Sequence, residues 1–230
     1  DEAVLADPYP MHEQLRELGP VVRLSAYGIW AMARHEQVQA ALVDHDTFCS
    51  SAGVGLSDFR KETPWRPPSL LLEADPPAHT RARRPVTRAM SPGTVRRHAE
   101  SLVTEASALF DRLAGRDEID GIGDVAIPYP LTVFPDIVGM PAEGREHLLP
   151  YGDLVFNGFG PRNRLFVEAM AGAPPVQEWV AKAWRAESLA PDGMGARLHE
   201  YAAEDGFPPE QSALLMRSLL SAGLDTTVHA

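Results

Sequence analysis

Residues 217–227 read Arg217-Ser218-Leu219-Leu220-Ser221-Ala222-Gly223-Leu224-Asp225-Thr226-Thr227, and the reading of this run decides the fold. Apolar residues recur at helical spacing from Leu214 and Leu215 onward, which predicts a helix opened by Pro208-Pro209-Glu210. Within that helix stand a glycine, an acid and two adjacent threonines, all disfavoured in a helix interior. A local exception inside an otherwise consistent element marks a functional position. Ser218, Ala222 and Thr226 are four apart and share one face. The Thr226 hydroxyl can bond back to the Ala222 carbonyl, which slackens the ladder and opens a notch. Gly223 lets a flat group approach the backbone, and Asp225 sets a proton-handling carboxylate beside it. Taken as a lone Ala-Gly pair, the run also fits a buried helix with a tolerated glycine.

Working outward, the totals set bounds. The 230 residues, 44% hydrophobic and 23% charged, are ordinary for a water-soluble fold with a substantial core. A net charge of −11 argues against nucleic acid as a partner. No apolar run approaches the length of a membrane span, and the first residues have no signal-peptide pattern, so a cytoplasmic location and no membrane partner are expected. The 21 prolines suggest short helices joined by stiff turns. The single cysteine, Cys49, rules out an internal disulfide framework and reads as an inert, partly buried residue. The histidines show no paired ligand spacing, so no metal ligand is expected within this chain.

Along the chain, Asp7 to Leu18 is expected as a helix capped by Asp7 with Pro8 in its first position. Val21–Leu24 and Ile29–Ala33 flank a short turn and predict a β-hairpin. A helix follows over Arg34–Leu42, then an irregular Gly/Pro/Ser-rich stretch from Ser51 to Pro68. Asp75-Pro76-Pro77 opens another helix, on which His79 and Arg83 are four apart and share a face. Further helices are expected over Val95–Leu113, Gly144–Gly158, Val176–Glu187 and Met194–Ala203, with a turn at Asp120–Val125. Ile127–Val138 is apolar but broken by Pro130 and Pro135. The fold class is therefore mainly α, with a small β-hairpin near the N-terminus and no αβ alternation.

Three motifs then converge. The Ala-Gly-Leu-Asp-Thr-Thr run resembles the central (I) helix of the cytochrome P-450 haem-thiolate monooxygenases. Glu73-Ala74-Asp75-Pro76-Pro77 with His79-x-x-x-Arg83 resembles the haem-contacting helix of the bacterial members, and Phe134-Pro135-Asp136-Ile137-Val138-Gly139-Met140-Pro141 is similar to the family as well. The resemblance implies the P-450 fold, haem b as cofactor and O2 as co-substrate. It implies haem contacts from His79 and Arg83, whose donors would meet two propionates, and from Ala222, Gly223, Thr226 and Thr227. Asp225 and Thr226 would be the catalytic acid–alcohol pair. The axial cysteine of the family lies downstream of the central helix, so Cys49 is not it. Because residue 230 falls inside the expected helix, residues 1–230 are read as the N-terminal portion of one P-450 domain, truncated within the central helix.

The residues also suggest a substrate. Arg66 and Ser69, among stiffening prolines, and Arg217 and Ser218 can offer two guanidinium groups and two hydroxyls to one anion, for which a carboxylate is the natural match. Phe156 and Phe159 can clamp a flat ring. The loop Val54–Glu62, the Arg-Pro-Pro-Ser run and the Phe-Asn-x-Phe pair resemble the bacterial para-substituted benzoate monooxygenases. That likeness implies carboxylate binding by Arg66, Ser69 and Ser218, with Arg217 supporting. It implies a ring pocket of Leu72, Val155, Phe156, Phe159 and Ala222, and O-demethylation of substrates such as 4-methoxybenzoate. Electrons would come from a [2Fe-2S] ferredoxin with an NADH-dependent reductase, docking on a basic cluster of Arg81, Arg84, Arg88, Arg96 and Arg97. Two alternatives stay open: a P-450 acting on another small acid or a natural product, and a non-catalytic helical ligand-binding protein should the 230 residues be the whole molecule.

Overall fold

A computed structural model describes residues 2–229, which fall into two compact units divided between Ala52 and Gly53. The first holds helices α1 (Glu2–Ala6), α2 (Tyr9–Leu18) and α3 (His35–Val43) and a hairpin of β1 (Val22–Leu24) and β2 (Ile29–Ala31). The strands pair antiparallel with Val22 opposite Ala31 and Leu24 opposite Ile29, and Gly28 supplies the left-handed turn residue (φ 67°). Asp7 does not cap α2. Its N–H donates to the Ala3 carbonyl at 3.1 Å, so it closes α1, and α2 begins at Tyr9 without a side-chain cap. Cys49 is exposed rather than partly buried.

The described regular elements of the second unit are helices: α4 (Ala78–Ala89), α5 (Pro92–Leu113), α6 (Pro128–Val138), α7 (Leu148–Phe159), α8 (Arg164–Ala171), α9 (Ala173–Ala183), α10 (Met194–Glu204), α11 (Pro209–Gly223) and α12 (Asp225–Val228). The prolines break less than expected. Pro128 and Pro130 fall in the first turn of α6, where N–H groups have no intrahelical partner, and α6 continues past Pro135 to Gly139 (φ 89°). The expected turn at Asp120–Val125 is a single π-helical turn, Gly121–Ala126, whose first N–H groups donate to Asp120 Oδ1 at 2.9 and 3.0 Å. Helix α8 has no counterpart in the sequence reading; Asn163 starts it by accepting the Phe166 N–H at 3.1 Å.

α10 packs between α4 and α11. Its Leu198 joins Val86, Val138, Leu148, Leu154, Leu215, Met216, Leu220 and Leu224 in a core from which water is excluded. Burying one such aliphatic side chain stabilises by about 1.5–3 kcal/mol, so this wedge fixes α4 and α11 relative to each other. Glycines set the closest approaches. A Cβ on Gly158 would lie 2.6 Å from Trp65 Nε1, and one on Gly55 would lie 2.8 Å from the Phe159 carbonyl oxygen. The irregular 53–69 segment is thereby seated on the end of α7, and Leu56 N–H donates to that same Phe159 carbonyl at 3.0 Å. Among the described residues no helix is long and apolar enough to cross a membrane.

Candidate active site

The long helix expected from Pro209 is interrupted at Leu224, where α11 gives way to α12. Two threonines accompany the break by bonding backward: Thr226 Oγ1 donates to the Ala222 carbonyl, and Thr227 Oγ1 to that of Gly223 at 2.8 Å. Such back-bonds compete with the ladder. The three residues of the polar stripe, Ser218, Ala222 and Thr226, all line one cavity of about 420 Å³. The 66–73 loop, α4 and α7 supply its other walls.

Its polar end is a closed hydrogen-bond circuit. Ser69 Oγ lies 2.8 Å from Ser218 Oγ and accepts the N–H groups of Leu71 (3.2 Å) and Leu72 (3.0 Å). Ser218 donates its own proton to the Leu214 carbonyl at 3.0 Å. The Ser69 proton therefore points to Ser218, and two backbone dipoles make that hydroxyl a strong donor. Arg217 is 8% exposed, and its Nη2 donates to the Pro67 carbonyl at 2.7 Å. Burial pushes its guanidinium pKa down, Arg66 acts in the same direction, and Tyr151 and Glu73 oppose.

Arg66 differs from the reading in one respect. Its fork does not face the cavity free: Nη1 and Nη2 donate to the two carboxylate oxygens of Glu73 at 2.9 and 3.2 Å, with side chains only 9% and 2% exposed. Glu73 also accepts the Ser69 N–H at 2.6 Å. Sequence reasoning missed Glu73 as a site residue. The signal was a lone acid directly after Leu70-Leu71-Leu72, since an acid drawn into an apolar run needs a buried cation.

The apolar walls are Leu72, Val155, Phe156, Phe159 and Ala222. The two phenylalanine rings meet edge to face, centroids 6.5 Å apart, a favourable arrangement. Leu72 and Phe156 stay exposed at 49% and 45%, presenting apolar surface to whatever enters. His79 and Arg83 project from α4 into the same cavity. Among the described residues neither side chain has an ion pair, whereas Arg88 on the same helix pairs with Glu204 and stacks 4.0 Å from the Tyr201 ring centroid.

Three expected site residues sit elsewhere. Gly223 does not face the cavity; a Cβ there would lie 2.6 Å from Phe134 Cε2, so its missing side chain admits a core ring. Thr227 is turned to its own backbone and does not line the cavity. Asp225 is buried at 7% exposure against α7, where a Cβ on Gly152 would lie 2.5 Å from its Oδ1. Burial raises its pKa, His229 (Nε2 at 3.7 Å) pulls it back down, and Asp153 adds to the rise. A carboxyl group with a raised pKa thus stands beside the cavity, one residue before Thr226.

No family model matches the chain. It is 53% identical over 97% of its length to cytochrome p450 CYP199A2 of Rhodopseudomonas palustris, covering 55% of that protein. It is 28% identical over its whole length to cytochrome P450 107B1 of Saccharopolyspora erythraea, covering 58%. The chain thus spans about half the length of the curated relatives it matches. Among solved structures, cytochrome P450 CREJ in complex with (4-ethylphenyl) dihydrogen phosphate superposes with a TM-score of 0.78 at 22% identity, over 96% of this chain and 59% of that one.

Proposed function

We propose that the chain is part of a cytochrome P450, its relatives being about twice as long, and that the full-length protein is a haem-dependent monooxygenase of para-substituted benzoic acids. One observation carries the reading. A single cavity has a buried arginine and two linked serines at one end, aromatic walls between, and a threonine beside a helix break at the other. Axial rise over the eight residues from Ser218 to Thr226 is about 12 Å, room for one benzoate laid lengthwise.

The cofactor reading rests on charge. His79 and Arg83, on one face of α4 and without an ion pair among the described residues, suit the two propionates of haem b, and Ala222 on α11 lines the same cavity. Bound there, haem would supply the activation of dioxygen; the protein's part is to orient the substrate and handle protons. On this reading the Ser69 hydroxyl turns its proton from Ser218 to the substrate carboxylate, and Arg217 supplies the counter-charge. Leu72, Val155, Phe156 and Phe159 exclude water and hold the ring so that its para substituent lies beside Thr226. Thr226 can bind a water by its free lone pair, linking the cavity to Asp225. With a 4-methoxy substrate, methyl hydroxylation gives a hemiacetal that releases formaldehyde and leaves 4-hydroxybenzoate.

The test is an absorbance titration of full-length haem protein with 4-methoxybenzoate. We expect conversion from low to high spin as the substrate expels water. A normal reduced carbon-monoxide band without any spin shift would retain the cytochrome and discard the benzoate.

Two electrons must be delivered from outside, and we assign the docking face to α4 and the start of α5. Arg81 is occupied with the Phe207 ring (4.5 Å), Arg88 with Glu204 and Arg97 with Thr94 Oγ1 (3.0 Å), which leaves Arg84 and Arg96, both exposed, to meet an acidic ferredoxin. Arg84→Glu should slow ferredoxin-driven reduction about tenfold at low salt, with the difference shrinking as salt is raised. Equal rates at low ionic strength would move the docking face elsewhere.

A further inference from the structure

Two guanidinium groups converge on one carbonyl at the polar end of the cavity. Arg66 Nη1 and Arg217 Nη2 both donate to the Pro67 oxygen, at 3.0 and 2.7 Å. Like charges so close in a buried place repel unless something compensates. Glu73 pairs directly with only one of them: its carboxylate takes both prongs of Arg66 and the Ser69 N–H, and its single charge acts on Arg217 only from a distance. Ser69, Ser218 and the Pro67 carbonyl are neutral, so the three charged groups leave one net positive charge. His79 and Arg83 do not enter this sum, since they stand on α4 and on the proposed reading face the cofactor.

We propose that Glu73 is a specificity-determining residue that counts the charge of the bound ligand, limiting this end of the cavity to monoanions such as carboxylates and sulfonates and excluding dianions such as aryl phosphates. The inference rests on the benzoate reading of the cavity and adds to it a discrimination that shape alone would not give. A dianion brought here would keep one charge without a partner in a water-poor site, which is costly. Glu73 touches no substrate. It acts through Arg66, by neutralising it, and through Ser69, by fixing the backbone of the donor hydroxyl.

The test uses full-length haem protein at pH 8 and three probes with the same 4-ethyl ring: the benzoate, the phenyl sulfate and the phenyl phosphate. The first two carry one charge; the phosphate, whose second ionisation lies near pH 6, carries two. The sulfate matches the phosphate in shape, so their ratio of dissociation constants, by calorimetry, isolates charge. Wild type should bind the sulfate at least about tenfold more tightly than the phosphate. Glu73→Gln should shift that ratio about tenfold or more toward the phosphate, Glu73→Asp should leave it near wild type, and Arg66→Gln with Glu73→Gln should restore it. Equal affinities in wild type, or a folded Glu73→Gln with the wild-type ratio, would overturn the proposal while leaving the benzoate reading intact. A measurement on wild type alone covers the case of a variant that fails to fold. Between pH 8 and pH 5.5 the phosphate becomes mainly a monoanion and should gain about tenfold on the sulfate; an unchanged ratio again overturns it. If none of the three probes binds wild type, the benzoate reading fails first and the charge count with it.

Discussion

Arg66→Ala is expected to destabilise the folded protein by about 3–5 kcal/mol, the usual cost of stripping the partner from a buried charge. The loss does not come from the surface contribution of an ion pair. Arg164–Glu168 and Lys182–Glu178 are i,i+4 ion pairs of similar length, 2.9 and 2.7 Å, but their side chains are 58% or more exposed; each is worth about 0.5 kcal/mol at most. Glu73, with its side chain 2% exposed, would instead stay in the interior with only the Ser69 N–H. The same change removes one positive charge from the polar end of the cavity, so benzoate affinity should fall with stability. Denaturant unfolding separates the two effects. Arg66→Ala with Glu73→Gln should recover most of the lost stability, because no lone charge remains, and should recover affinity through Arg217. A single variant within about 1 kcal/mol of wild type would show that water reaches Glu73 and that the pair is not buried in solution.

What the sequence made legible follows from the range of each interaction. The stripe Ser218, Ala222, Thr226 and the His79–Arg83 pair, each spaced by four, are set by the helical period alone, and in the structure all five line one cavity. The back-bond from Thr226 to Ala222 is equally local. The neighbour of Gly223 is not legible because it lies on another element: the ring of Phe134 on α6 occupies the space a side chain would fill. Glu73 escaped for the same reason, being joined to Arg66 across a loop with no period to read. Gly152 could not be recognised as the seat of Asp225, since nothing in α7 alone says which side chain will lie against it. Helix α8 carries an Asn163 cap and a short apolar face that resemble many loops until α7 and α9 pack on it. Motif and period gave the helices and the polar stripe; the partners of each glycine and buried charge belong to the tertiary fold.

Asp225→Asn should separate stability from turnover. Because burial raises the carboxyl pKa above its ordinary value of 3.8, the folded state binds the proton more readily than the unfolded chain. Stability from this group is therefore present at low pH, is lost as pH rises from the ordinary value through the raised one, and stays lost at neutrality. An amide of the same shape fits against Gly152 and carries no charge to desolvate. The Asn variant should thus be at least as stable as wild type at pH 7, and should lose the part of the acid-side slope that Asp225 contributes. Function should move the other way. If Asp225 relays protons to Thr226 as proposed, an amide that neither takes nor gives a proton should cut turnover about 10²-fold or more, with 4-methoxybenzoate affinity unchanged since Asp225 does not line the cavity. Unfolding curves at pH 4 and pH 7, set beside turnover and substrate titrations, make the check. A variant that is less stable at pH 7 yet turns over normally would make Asp225 a structural partner of His229, 3.7 Å away, and would remove it from the chemistry.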